Sequence, residues 1–183
     1  MKKGFSLIEM LVAITITIII LGLTTAQLFM QRKHVNMQQN QISLDRDTRL
    51  ALMFIGNEMR ELGLDPKKTH SFGIDSANAS SIKYLSDKNL DGTLNLDETG
   101  KIHQLGNILI YNNDSIIPDV DTLIFKYFDT NGDSIAMPFS ENKVGFYTDT
   151  VALFQVHLIT ERRDLRDKLL ARSDQSAQFE RKN

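Results

Sequence analysis

From Phe5 to Gln31 the chain is apolar with a single charged side chain, Glu9, and no charge at all between Met10 and Ala26. As a helix this stretch rises roughly 40 Å against a hydrocarbon core of about 30 Å, so it predicts a membrane-spanning helix. ITITIII is rich in β-branched residues, mediocre helix formers in water. In lipid every backbone N–H and C=O needs a partner within the segment, which forces the helix regardless. After Gln31 polar residues take over, yet Leu52, Ile55, Met59 and Leu62 keep a helical step, with Leu50, Met53 and Phe54 expected to widen that face. The pattern predicts one nearly continuous helix from Phe5 to Leu62, ended by Gly63 and the LDP that follows. The missing heptads between His34 and Gln41 argue against a coiled coil.

Beyond Pro66 the period shortens. SIKYL, KIHQL, NILIY, TLIFKYF and VALFQVHLI alternate or run apolar between Asn, Asp, Gly and Ser, as strands and hairpins do. Leu123, Phe125 and Tyr127 share one face of one strand, and Ala152, Phe154, Val156 and Leu158 one face of another. An antiparallel sheet laid on the apolar face of the helix buries both, which predicts an α+β protein: a long N-terminal helix and a C-terminal β-sheet head. The expected organisation is a short leader at 1–4, a transmembrane segment at 5–30, its amphipathic continuation at 31–63, and a β-rich head at 64–183. The last residues, from Glu161, carry seven Lys or Arg and five Asp or Glu of mixed sign and are expected to form a solvated extension.

Composition narrows the function classes. The 183 residues have room for one modest core beside the membrane segment, and a formal net charge of −2 speaks against a nucleic-acid binder working through bulk electrostatics. Without cysteine there is no disulfide, thiolate nucleophile or thiolate zinc site. The histidines, at 34, 70, 103 and 157, have no metal-ligand spacing, and no nucleophile elbow, phosphate loop or dinucleotide fingerprint appears. Catalysis is not expected.

Two lysines before an apolar run suggest a secretory signal peptide, but such a peptide has only about 7 to 15 apolar residues before an A-x-A-like site, and this run continues into LGLTTAQLF. Glu9 inside it costs about 2.5 to 3.5 kcal/mol on insertion scales and calls for a partner. KKGFSLIEMLVAI resembles the processing and assembly signal of type IV prepilins and type II secretion pseudopilins. The resemblance implies cleavage between Gly4 and Phe5 by a prepilin peptidase, N-methylation of Phe5, and a role for Glu9 in assembly. Cleavage leaves an ammonium at Phe5 that the carboxylate of a neighbouring subunit's Glu9 can meet, a pair that sets stagger more than raw stability. Unlike many major pilins, this helix has Gly22 but no proline, so a bend is not implied. RDTRLALMFIGNEMRELGLDP and the terminal RKN resemble PilW-type minor pilins.

DKNLDGTLNLDE, from Asp87 to Glu98, satisfies D-x-[DN]-x-[DN]-G-x5-E at each constrained place. Asp87, Asn89 and Asp91 would offer side-chain oxygens to Ca2+, Thr93 a carbonyl, Asn95 a water-mediated contact, and Glu98 two closing oxygens. The flanks read as strands, so only the loop would be shared with an EF-hand. The alternative is a polar hairpin turning at Asp91-Gly92. FDTNGDSIAMPFSEN repeats the theme with Asp129, Asn131 and Asp133, but serines replace the glycine and the closing acid, and a turn is expected.

These features point to a minor pilin of a type IV pilus, acting in assembly or initiation and in adhesion or motility. Its expected partners are other pilins, met through the N-terminal helix. It would sit in the bacterial inner membrane with its head in the periplasm before joining the pilus. The alternatives are a pseudopilin of a type II secretion system and a singly anchored calcium-dependent adhesin or receptor.

Overall fold

The computed structural model describes residues 6–69, 71–137 and 151–180, and the chain divides into two compact units, Met1–Asn40 and Gln41–Asn183. Helix α1 runs Leu7–Glu61. In the first unit every described side chain from Ser6 to Gln39 is exposed, as expected of a surface made for lipid or for other helices. Its threonines still have partners: the Thr15 and Thr17 hydroxyls each donate 2.8 Å to the carbonyl four residues back, on Leu11 and Ala13. Thr24 and Thr25 do the same towards Ile20 and Leu21 at 3.0 and 2.9 Å. A hydroxyl satisfied within its own helix can face an apolar medium without the cost of an unpaired donor.

In the second unit the helix buries Leu44, Thr48, Ala51, Leu52, Ile55, Gly56 and Met59, one stripe at steps of three and four that Leu62 continues. Leu50 and Met53 do not widen it. They are 50% and 64% exposed, because at 100° per residue both fall on the side opposite Ile55. Phe54 does pack inward, edge-on to Tyr111 at 5.1 Å. Gly63, at φ 72°, ends the helix in the left-handed conformation that favours glycine, and its N–H bonds the Leu85 carbonyl.

Two antiparallel sheets follow. The first is a five-stranded meander in chain order: β1 (Gly73–Asn78), β2 (Ser81–Leu85), β3 (Thr99–Leu105), β4 (Ile108–Tyr111) and β5 (Asp114–Ile117). The second is β6 (Val120–Phe128), β7 (Leu153–Arg163) and β8 (Leu169–Glu180). The expected faces hold, since Leu123, Phe125, Tyr127, Phe154, Val156 and Leu158 are all buried, and one core joins them to the helix stripe and to Ile74, Ile82, Tyr84, Ile102 and Leu109. The side chain of Gln104 joins the sheets, accepting the Leu123 N–H at 2.9 Å and donating to the Asp121 carbonyl at 2.9 Å as another strand's backbone would.

The expectation of a solvated extension after Glu161 is corrected. Residues 169–180 form β8, paired with β7 along its length, with Ala171 and Ser173 buried. Beside β8 the helix comes close: a Cβ built on Gly56 would lie 2.3 Å from the Phe179 ring, and Gln41 donates 2.8 Å to the Arg172 carbonyl. Thr48 and Thr160 share a buried hydroxyl bond of 2.7 Å. Small inward residues suit such an approach, so β8 lacks the apolar alternation of the other long strands.

Gly100, opposite Tyr84 in the β2–β3 pairing, has no room for a side chain: a Cβ there would lie 2.2 Å from the Tyr84 ring. That ring is fully buried and its hydroxyl is held by Glu58, so it cannot step aside. Gly100→Ala is expected to cost about 1 to 3 kcal/mol by overpacking. Thermal unfolding of the detergent-solubilised chain checks this, and an unchanged Tm would show that the ring yields.

Candidate functional site

The N-terminal site begins at a helix start. Gly4 and Phe5, the expected cleavage and methylation positions, lie outside the described residues. Ser6 stands at the cap: its hydroxyl accepts the Ile8 N–H at 3.3 Å, while the Glu9 carboxylate reaches back to the Ser6 N–H at 3.1 Å. The Glu9 bond is the return half of a capping box, with the Ser6 hydroxyl capping N2 in place of N3, and it places a negative charge where the helix dipole favours one. The four letters SLIE carry that signal, which a search for a charged partner alone passes over. Glu9 is thus held by its own helix through one oxygen's hydrogen bond, yet is exposed and meets no cation among the described residues.

The second site is the loop that closes the β2–β3 hairpin. Leu85 pairs with Thr99, so residues 86–98 form a long excursion and not a two-residue turn at Asp91-Gly92. Gly92 sits at φ 74°, which permits the sharp turn, and Leu90, a non-glycine, is also left-handed at φ 63°. The chain folds around the acids. Asp87 accepts the N–H groups of Asp91 and Gly92 at 3.1 and 3.0 Å, and Glu98 accepts the Asn95 N–H at 2.8 Å across the start of a short 3-10 turn, Leu96–Glu98. Asp91 takes the Thr93 N–H at 2.6 Å and the side-chain amides of Asn89 and Asn95 at 3.0 and 3.3 Å. Bonds from Thr93, its hydroxyl first, hold the Asp91 carboxyl below its ordinary range. The Thr93 carbonyl accepts from Asn95.

Carboxylate oxygens of Asp87, Asp91 and Glu98 lie within 4.8 Å of one another. Oxygens at about 2.4 Å from one calcium can be no farther apart than about 4.8 Å, a limit that the three respect. Asp87 and Glu98 are fully buried, Asp91 exposed. Two buried carboxylates converging on one point repel, and a hard cation between them removes that cost. Asn89, Thr93 and Asn95 surround the exposed side of the cluster. The Asp129 loop is a turn as expected: Asp129 accepts the N–H groups of Asn131 and Asp133, both at 2.9 Å, and Ser140 lies outside the described residues.

Around the loop is a polar cluster that no local pattern announces. Glu58 of the helix accepts the hydroxyls of Tyr84 and Tyr111, the latter at 2.9 Å, and Lys88 lies 3.7 Å from Glu58 and 3.6 Å from Glu61. Burial first, then the Glu58 bond, pushes the Tyr84 hydroxyl far up, so it remains a donor at every physiological pH. Ser86 donates 2.7 Å to the Glu61 carbonyl, and the Asp87 N–H bonds the Leu64 carbonyl at 2.9 Å. The loop is fastened to the end of the helix at both its charged and its backbone groups.

The prokaryotic N-terminal methylation motif matches residues 1–25 of the chain. None of the curated proteins compared with the chain matches it. Proteins carrying this motif are structural and non-enzymatic, are processed by prepilin peptidase and associate with membranes. With the apolar helix behind the motif and the antiparallel sheets beyond it, this match supports a membrane-anchored, single-pass protein of the type IV pilin-like family.

Proposed function

We propose that this chain is a minor pilin of a type IV pilus that enters the filament through its N-terminal helix and acts in assembly or initiation, and through the filament in adhesion or motility. The observation that carries the reading is Glu9: an acid in the otherwise apolar first half of a helix, a half whose described residues are all exposed, under a methylation motif. A neighbour's N-terminal ammonium at Phe5 answers the charge that the capping bond leaves. The subunit starts in the inner membrane, head in the periplasm, and ends on the pilus at the cell surface. The likeness to PilW-type subunits belongs to this proposal. A type II secretion pseudopilin would use the same helix and Glu9, and a deletion strain separates the two by losing enzyme export instead of twitching or adhesion. A singly anchored adhesin would not be processed.

Processing is read by intact mass spectrometry of the chain from membranes of a host with a prepilin peptidase. The expected mass lacks Met1 to Gly4 and gains one methyl group on Phe5. An unprocessed chain removes the filament reading and leaves the adhesin.

Glu9 itself is tested by two substitutions. Glu9→Gln keeps an oxygen for the Ser6 N–H and so keeps the helix start, while Glu9→Ala removes both bond and charge. Both should be processed normally and both should fail to enter filaments. Breaking a buried ion pair costs about 3 to 5 kcal/mol, which corresponds to an incorporation loss of about a hundredfold or more in sheared filaments. Normal incorporation of the Gln variant would make capping, and not charge, the role of Glu9.

We further propose that the loop from Asp87 to Glu98 holds structural Ca2+ through Asp87, Asp91 and Glu98, with Asn89, Thr93 and Asn95 completing the shell. At a hundredfold excess over its dissociation constant, calcium would add about 2.7 kcal/mol to stability and raise the Tm of the detergent-solubilised chain. Asp91→Ala should cancel the rise. Because the Asp91 carboxyl is held below its ordinary range, its contribution is present at neutral pH. It should persist through mild acid and fade only as pH falls below about 4. A Tm indifferent to millimolar calcium would sink the assignment.

A further inference from the structure

The loop from Asp87 to Glu98 leans on the stretch that ends the helix, and it does so on both sides of its first turn. On one side Ser86 and Asp87 are fully buried, the Ser86 hydroxyl donating 2.7 Å to the Glu61 carbonyl and the Asp87 N–H bonding the Leu64 carbonyl at 2.9 Å. On the other side the Lys67 ammonium reaches the Asp91 carbonyl at 2.5 Å. The Lys67 stem lies so close to Gly92 that a Cβ there would stand 2.7 Å from its Cδ. Between these holds Gly63 turns the chain, its N–H on the Leu85 carbonyl at 3.3 Å. Asp87 and Asp91 belong to the converging acids, so each sits beside a point at which residues 61–67 grip the loop.

The grip serves the helix as much as the loop. The last carbonyls of a helix have no partner within it. The Glu61 carbonyl finds two outside, the Leu64 N–H at 3.1 Å and the Ser86 hydroxyl. One residue on, Asp87 is committed in two directions: its N–H to the helix exit, its carboxylate to the N–H groups of Asp91 and Gly92. Ser86 also ties the ends of the loop together, its N–H on the Glu98 carbonyl at 3.0 Å. A displacement at the end of α1 therefore reaches the backbone that carries Asp87 and Glu98.

We propose that Ser86 and Lys67 are positioning residues of the calcium site: they hold Asp87 and Asp91 where one cation can meet both together with Glu98, and through them bound Ca2+ fixes the end of α1. The inference rests on the calcium reading of the loop. Without the cation, the buried Asp87 and Glu98 and the exposed Asp91 repel one another, and the helix exit loosens with the loop. With it, the two close as one unit. The coupling is reciprocal, so whatever order calcium brings to the helix exit, order imposed there returns as calcium affinity.

Amide exchange in the full detergent-solubilised chain, followed by NMR with and without calcium chloride, reads the coupling. If opening the helix exit also opens the site, calcium at about a hundredfold excess over its dissociation constant slows exchange at Gly63, Leu64 and Asp87 by up to about a hundredfold. The N–H groups of Gly132 and Asp167, bonded in the Asp129 and Asp164 turns, should not change. Ser86→Ala removes one hydrogen bond and touches no carboxylate, and it should weaken calcium binding about fivefold. The difference in Tm between calcium-loaded and calcium-free chain should shrink with it, whereas a purely structural loss lowers both alike. Lys67→Met should weaken binding as well, although removing a positive charge near the site would by Coulomb attraction alone tighten it. Tighter binding in that variant removes Lys67 from the proposal, and unchanged affinity in Ser86→Ala removes Ser86. Calcium that binds without slowing exchange at the helix exit overturns the coupling and leaves the site standing. A chain that binds no calcium at millimolar levels refutes the site, and this inference with it.

Discussion

The backbone of α1 is the constraint on which the rest depends. Along its first half the surroundings offer no partner for a peptide group, so each N–H and C=O must be paired inside the helix, and even the threonine hydroxyls turn back onto it. Only the start of a helix leaves N–H groups unanswered, and there Ser6 and Glu9 answer two of them. The acid is thus tolerable for a local reason, before any partner is considered. In the head the same helix meets the opposite demand, one stripe from Leu44 to Leu62 buried under two sheets and the far side left to solvent.

What could be read in advance follows from this division. The membrane segment, the continuous helix and the stripe at Leu52, Ile55, Met59 and Leu62 were legible because each is a property of one segment and its period. So were β2, β3, β4, β6 and β7, which turn large apolar residues such as Tyr84, Ile102, Leu109, Phe125 and Phe154 inward. β8 was not legible, because its fully buried residues are Ala171 and Ser173, small enough to look like a solvated tail, and its one large inward residue, Phe179, comes only at the far end. β1 has only Ile74 and Ala77 turned inward and a break in register between Ile74 and Ser76. Leu50 and Met53 misled in the other direction, their hydrophobicity suggesting an inward place that helix geometry denies them.

The candidate sites divide in the same way. The loop from Asp87 to Glu98 was visible as a spacing, since its oxygens and its glycine are ordered along one short piece of chain. That its acids converge, and that Asp87 and Glu98 are buried while Asp91 is not, depends on the hairpin that carries them. The Glu58, Tyr84, Tyr111 and Lys88 cluster gathers residues from the helix, two strands and the loop, and nothing in any one segment marks it.

The parallel run of β8 along the helix has a mechanical side. Gln41 is bonded to one part of the strand, Thr48 to its neighbour Thr160, and Gly56 is closed off by Phe179 farther on. A pull along the helix axis therefore meets these contacts side by side, sharing the load among them in shear, and does not open them one after another like a zip.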